Sequence, residues 1–273
     1  LQERMQELAL IINDLESILA DEAKIKGVIK EEILELKEKF STPRRTEFIP
    51  DPGELDIEDL IDDEDLVVTL SSGGYVKTVS TDEFKRQGRG GRGVAGASLK
   101  DEDIVTTILH TSAHAYLLFF TNFGKVYRLK AHQIPTMSRT ARGTAIVNLL
   151  QLGPEEKVAA VVDTRDYEAN RFLVFATKSG HVKKTKFTEY NKSRPSGLKA
   201  INLKDGDELV RVIPTNGSDD VCLMSSNGRL MRFHEDEVRA MGRSAAGVRG
   251  MKLKEGDAVV AVSIAREAST LLI

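Results

Sequence analysis

The sequence predicts a mainly β chain: a propeller-like disk of about four four-stranded blades, preceded by an α-helical coiled-coil segment. Three observations predict it. Residues 1–40 carry apolar side chains three or four apart, the period of a helix face. From residue 66 a strand, a glycine turn and a second strand recur four times. The recurrence has a period of about 50 residues with some four short strands per unit, which is how blades around an axis are written.

The helical segment comes first. Met5, Leu8, Ile12, Leu15 and Leu19 share one face. Asp21 is placed to cap a second helix, with Glu22 in its first turn. That helix is expected to turn Ile25, Val28, Ile29, Ile33, Leu36 and Phe40 inward. Ser41-Thr42-Pro43 ends it, because a residue before proline resists the helical region. Residues 1–42 thus form a helical unit. Residues 43–65, with Pro43, Pro50, Pro52 and Gly53 and then an acidic block over 54–65, read as a solvated linker with a short helix.

Residues 66–273 form the repeat domain. Its hairpins run from Val67–Leu70 to Gly74–Lys77, Leu117–Phe120 to Gly124–Arg128, Phe172–Phe175 to Gly180–Lys184, and Val221–Met224 to Gly228–Arg232. The turn glycines stand 50, 56 and 48 residues apart. A second glycine follows each hairpin, at Gly93, Gly143, Gly197 and Gly247. An acidic landmark and another apolar strand come next, as in Glu255-Gly256-Asp257 before Ala258–Val262. One blade cannot bury both faces, so neighbours must stack. The missing initial Met and the last residues, which read as the start of a fifth unit, lead us to expect a fragment with further units downstream.

Charge is divided unevenly. Residues 1–65 carry 20 acidic and 8 basic side chains, and the remainder 22 acidic and 31 basic. A basic body suits a polyanionic partner. The single cysteine, Cys222, forms no internal disulfide and fits a reducing, cytoplasmic setting. No apolar run approaches the ~20 residues of a membrane span, so no membrane partner is expected.

No catalytic constellation is present. His110 and His114 lie at i, i+4, but no further ligand completes a metal site. There is no phosphate-cradling G-x-x-x-x-G-K-[ST] loop and no G-x-S-x-G elbow. Gly88–Gly93 has the letters G-x-G-x-x-G but leads into strand-like sequence, not a helix, so no dinucleotide loop is assigned.

The candidate site is cationic instead. Gln87-Gly88-Arg89-Gly90-Gly91-Arg92-Gly93 follows Lys85 and Arg86. Arginine forks match phosphate oxygens, and glycines let the backbone approach a ligand. The stretch reads as a plain Gly/Arg loop or as a basic finger, and the other repeats favour the finger. Four residues before the second glycine stand Arg89, Arg139 and Arg243, with Arg194 one place later. Four residues after the turn glycine stand Arg128, Lys184 and Arg232, with Lys77 one place earlier. With Lys125, Arg142, Lys183 and Arg229, these are expected to stud the rim of the disk and hold bent duplex DNA by its phosphates.

Gln87–Gly93 resembles the GyrA box, the Q-R-R-G-G-[KR]-G motif of bacterial gyrase A subunits. The repeats, for example Leu118–Arg128 and Ser138–Gly143, are similar to the β-pinwheel repeats of that family. Residues 23–40, ending in Lys30–Phe40, look like the exit of its coiled-coil arm, and Thr42–Thr46 like the passage into its linker. Gly88 departs from the motif's usual arginine and removes one cation, whereas Arg92 keeps the charge. The resemblance implies the DNA-wrapping part of an ATP-dependent type II topoisomerase that introduces negative supercoils. The partners it implies are a second copy of the same gyrase chain and two gyrase B chains, in an A2B2 assembly. No cofactor is expected on this chain, since ATP and Mg2+ belong to the holoenzyme. The family's cleaving tyrosine lies upstream of the arm, whereas Tyr75, Tyr116, Tyr127, Tyr167 and Tyr190 all fall in the repeats, so this chain is not expected to cut DNA. Two alternatives are a topoisomerase IV A-type domain, which the nearly intact box disfavours, and a protein-binding propeller, which the basic rim disfavours.

Overall fold

The structure is a computed structural model that describes residues 2–42, 44, 46, 60–84, 103–165, 171–192 and 194–266. They fall in two compact units divided near residue 54. The first holds helices α1 (Gln2–Ala20) and α2 (Glu22–Phe40). Asp21 caps α2 as expected, its side chain accepting from the Ala23 N–H at 2.9 Å. Ser41 closes it by donating its N–H to the Lys37 carbonyl. The inward packing expected of Ile25, Val28, Ile29, Ile33, Leu36 and Phe40 is not found. Neither helix buries a residue, because among the described residues of this unit no third layer covers the apolar faces.

The second unit is built from the four hairpins: β1 (Asp65–Ser71) with β2 (Tyr75–Ser80), β4 (Tyr116–Thr121) with β5 (Lys125–Lys130), β8 (Phe172–Thr177) with β9 (His181–Lys186), and β12 (Asp220–Ser225) with β13 (Leu230–His234). The turn glycines Gly74, Gly124, Gly180 and Gly228 have φ between 74° and 86°, a backbone region that side chains disfavour. A hydroxyl closes every turn. Ser71, Thr121, Thr177 and Ser225 each accept the N–H of the residue after the turn glycine, at 3.2–3.3 Å.

A third strand runs antiparallel to the first of each hairpin: β3 (Val105–Ser112), β7 (Val158–Asp163), β11 (Leu209–Thr215) and β15 (Val259–Ala265). These third strands pack on one another from blade to blade and form the inner layer. The fourth strand is the surprise. β6 (Thr144–Ala145), β10 (Leu198–Lys199) and β14 (Val248–Arg249) pair with β2, β5 and β9. Each of these three blades therefore takes its outermost strand from the next sequence repeat. The expectation that one repeat makes one blade is corrected accordingly: the repeats interlock.

Burial follows the interlocking. One core cluster joins Leu118, Phe120, Val126 and Val162 of the second blade to Leu173, Phe175 and Tyr190 of the third. Phe120 meets Phe175 and Tyr190 edge-on, with ring centroids 5.4 and 5.6 Å apart. Equivalent clusters join the first blade to the second and the third to the fourth. Burying one such side chain is worth about 1.5–3 kcal/mol. The cores lie between blades, so a lone blade forfeits most of that gain. The end of the acidic block is also not a free linker. The Glu64 carbonyl accepts the Ala113 N–H, Asp63 accepts the His114 N–H at 3.2 Å, and His114 Nε2 lies 2.7 Å from the Ile61 carbonyl.

Candidate nucleic-acid interface

Successive strand residues face opposite ways, so position relative to the turn glycine decides where a cation points. Lys77, Tyr127, Lys183 and Met231 stand three places after that glycine, and Thr78, Arg128, Lys184 and Arg232 four. Aligning Lys77 with Arg128 therefore crossed from one face to the other. Three expected rim contacts fail because both faces of β2 and β9 are covered at these positions. Lys77, Lys183 and Lys184 are 1%, 0% and 4% exposed and cannot reach a phosphate. Lys77 Nζ donates to the carbonyls of Ser138 at 3.3 Å, Ala141 at 2.8 Å, and Arg139. Lys183 Nζ donates to the Ala200 carbonyl at 2.5 Å and to that of Arg243. Burial and the nearby Arg243 charge lower the Lys183 pKa to about 7. Burial also lowers that of Lys77.

Lys184 has a different partner. It sits 3.2 Å from Oε2 of the fully buried Glu235 and 3.3 Å from Asp236. Glu235 also accepts from Thr215, Gly217 and Asp219. A buried carboxylate needs such a set of donors, so Lys184 is committed to the core. Glu156, just before β7, is another buried carboxylate. Burial pushes its pKa up, but donors from Gly153, Thr121 and Lys125 outweigh that and hold it low. Lys125 lies 3.2 Å from Glu156 and keeps a partly exposed side chain.

The arginines fare differently. Arg194 and Arg229 are exposed, and Arg229 donates to the Lys252 carbonyl at 3.0 Å. Arg232 is 58% exposed and paired with Asp220. Arg128 lies 3.4 Å over the Tyr116 ring and donates to the Asn191 carbonyl. Arg142 lies 3.7 Å over the Tyr75 ring. Stacking of this kind holds the plane of a guanidinium. Glu83 fixes Arg139 by accepting its backbone N–H at 3.1 Å and, through the Glu83 carbonyl, its Nη1 at 3.3 Å. Nε of Arg139 and of Arg142 has no hydrogen-bond acceptor among the described residues.

Arg139, Arg194 and Arg243 all lie on the loop that precedes a donated outer strand. The first and third of these loops seat visibly against the preceding blade: the Met137 N–H donates to Thr78, and that of Met241 to Lys184. Three successive repeats thus carry arginine on the same loop, Arg139 and Arg243 four places before its glycine and Arg194 three. Lys199 and Arg249, exposed on the donated strands β10 and β14, extend the set. Sequence reading passed over them because a two-residue strand has no periodicity to find. Lys85, Arg86 and the whole of Gln87–Gly93, including Gly88, Arg89, Gly90, Gly91 and Arg92, lie outside the described residues.

A family model described as DNA gyrase C-terminal domain, beta-propeller, matches residues 65–112, 115–164, 171–216 and 219–266. The chain belongs to the DNA gyrase C-terminal domain family. The matched units are the sequence repeats, so in this family the unit includes the strand that it lends to its neighbour. Relatives include the DNA gyrase A protein of Clostridium acetobutylicum, 46% identical over 92% of this chain and 30% of that protein. The DNA gyrase A protein of Mycolicibacterium smegmatis is 43% identical over 96% of the chain and 31% of the relative. The chain therefore spans about a third of the length of the relatives it matches. Among solved structures, the C-terminal domain of a DNA topoisomerase IV aligns with TM-score 0.65 and 33% identity, over 76% of this chain and 63% of that one. A DNA gyrase A C-terminal domain aligns with TM-score 0.58 and 31% identity, over 74% and 65%. Among the described residues no helix is long and apolar enough to cross a membrane, and no cluster of metal-ligating side chains is found.

Proposed function

We propose that this chain is the DNA-wrapping part of a gyrase A protein, bending duplex DNA along its disk so that an ATP-dependent type II topoisomerase introduces negative supercoils. The observation that carries this reading is the repeated loop with Arg139, Arg194 and Arg243, placed before the donated strand in successive repeats. Bending some 20–30 base pairs costs on the order of 1–6 kcal/mol, which spaced phosphate contacts can offset and a single patch cannot. Arg128 and Arg142 add charge at those loops, and Arg229 and Arg232 add it on the fourth hairpin. Residues 85–93 serve as a further basic finger. In this reading residues 1–42 end a coiled-coil arm and 43–65 lead into the disk. The partners are duplex DNA, gyrase B chains carrying ATP and Mg2+, and a second gyrase A chain, in an A2B2 assembly in the cytoplasm. Strand cleavage belongs to a tyrosine elsewhere in the gyrase A protein.

The TM-score of 0.65 to the topoisomerase IV domain favours a second reading, an A-type chain without supercoiling activity. One experiment separates the two. In the assembled enzyme, replacing Arg89 and Arg92 with Ala is expected to abolish negative supercoiling while relaxation continues. Equal loss of both activities would count against a role specific to wrapping. A parent enzyme that relaxes or decatenates but never supercoils would establish the second reading.

A further inference from the structure

Phosphate contact does not explain the buried Lys77 and Lys183, and their surroundings assign them another role. Each ammonium sits under an arginine loop donated by the next repeat. Lys77 Nζ gathers three carbonyls of one such loop, those of Ser138, Arg139 and Ala141. Lys183 Nζ bridges the Ala200 carbonyl of its own repeat to the Arg243 carbonyl of the next. Their partners lie 61, 62 and 64 residues away for Lys77 and 60 for the Lys183–Arg243 contact. These are bonds between repeats, and none belongs to a regular ladder.

Carbonyls that converge on one point repel one another and must find donors when buried. An ammonium is suited to this, with three donors on a flexible stem and no acceptor. The second blade reaches the same end by another route. There Tyr127 fills the equivalent position, and Gly197 of the donated loop comes so close to its ring that a Cβ would stand 2.9 Å away.

We propose that Lys77 and Lys183 are positioning residues that fix the direction of Arg139 and Arg243 by clamping the backbone of the loops that carry them. This rests on the DNA-binding reading for its consequence, though not for its structural content. Held in place, the arginines meet phosphate without a further entropic cost of ordering their loops. Neither lysine touches the nucleic acid.

The test compares K183M with R243A, and K77M with R139A, in the full chain. Binding to a duplex is measured across a range of salt, and hydrogen exchange is followed at the amides of residues 138–142 and 240–245. A positioning lysine predicts a loss of affinity of about two- to tenfold in K183M, with exchange accelerated in its loop. It also predicts an unchanged slope of log K against log salt, because no phosphate contact is removed. R243A should lower that slope by about 1. The double variant should bind no worse than R243A alone, since Lys183 acts through Arg243. A slope that falls in K183M as it does in R243A would overturn the proposal in favour of direct contact. Unchanged affinity with unchanged loop exchange would overturn it as well. If K183M fails to fold, K77M makes the same comparison in another blade. If the parent chain binds no duplex, the wrapping reading fails, while loop exchange in the two lysine variants still decides whether the clamp exists.

Discussion

Lys183 shows how far a single residue's role depends on its surroundings. On a strand edge lysine is ordinarily a solvated charge, but here it is fully buried beneath a loop. Burial, reinforced by the Arg243 charge, lowers its pKa from 10.5 to about 7. The unfolded chain then holds the proton more tightly than the folded one, so stability should rise as pH climbs from about 7 towards 10.5. A 15N NMR titration of the Lys183 side chain, assigned through K183M, is expected to show a midpoint near 7. A midpoint near the ordinary lysine value would mean that the site is wetter than its packing implies. Asp103, Asp207 and Asp257 work the other way. Burial raises each pKa, but hydrogen bonds from a hairpin turn, such as Gly73 N–H to Asp103 and Ser179 N–H to Asp207, outweigh it and keep the carboxylates ionised.

At the scale of elements, the donated strand holds the repeats together. Gly247 has φ 88°, and a Cβ there would lie 2.4 Å from the Val182 carbonyl, a backbone atom that cannot step aside. G247A should therefore unseat β14 from β9. The φ alone costs roughly 1–3 kcal/mol, and the clash adds to it. A fall in melting temperature of at least about 4 °C is expected, while G256A, with open space around its Cβ, should lose less. Equal losses would show that the close approach is not what Gly247 serves. The four hairpins were legible in the sequence because a turn glycine with apolar runs on either side leaves few alternatives. Gly143, Gly197 and Gly247 were legible as landmarks, but what they permit was not. Two-residue strands such as Thr144–Ala145 carry no alternation, and their partners lie about seventy residues upstream, as with Tyr75 and Ala145. For the same reason Lys77 was read as a rim cation: its carbonyl partners belong to a different repeat. Arg194, Arg229 and Arg232 are exposed, the last two while bonding to the Lys252 carbonyl and to Asp220.

The repeat unit is a chain of interlocked repeats whose cores lie at blade junctions. Its arginine loops are thus fixed relative to one another by packed side chains, as a track for a stiff polymer requires. The most direct measurement is energy transfer between dyes at the two ends of a duplex of about 30 base pairs, with the full chain added at low and then rising salt. The ends should approach on binding, and the effect should fade steeply with salt. It should also weaken when Arg139, Arg194 and Arg243 are replaced together. A duplex that stays straight when bound, or that bends equally well without those three arginines, would contradict a DNA track along the disk.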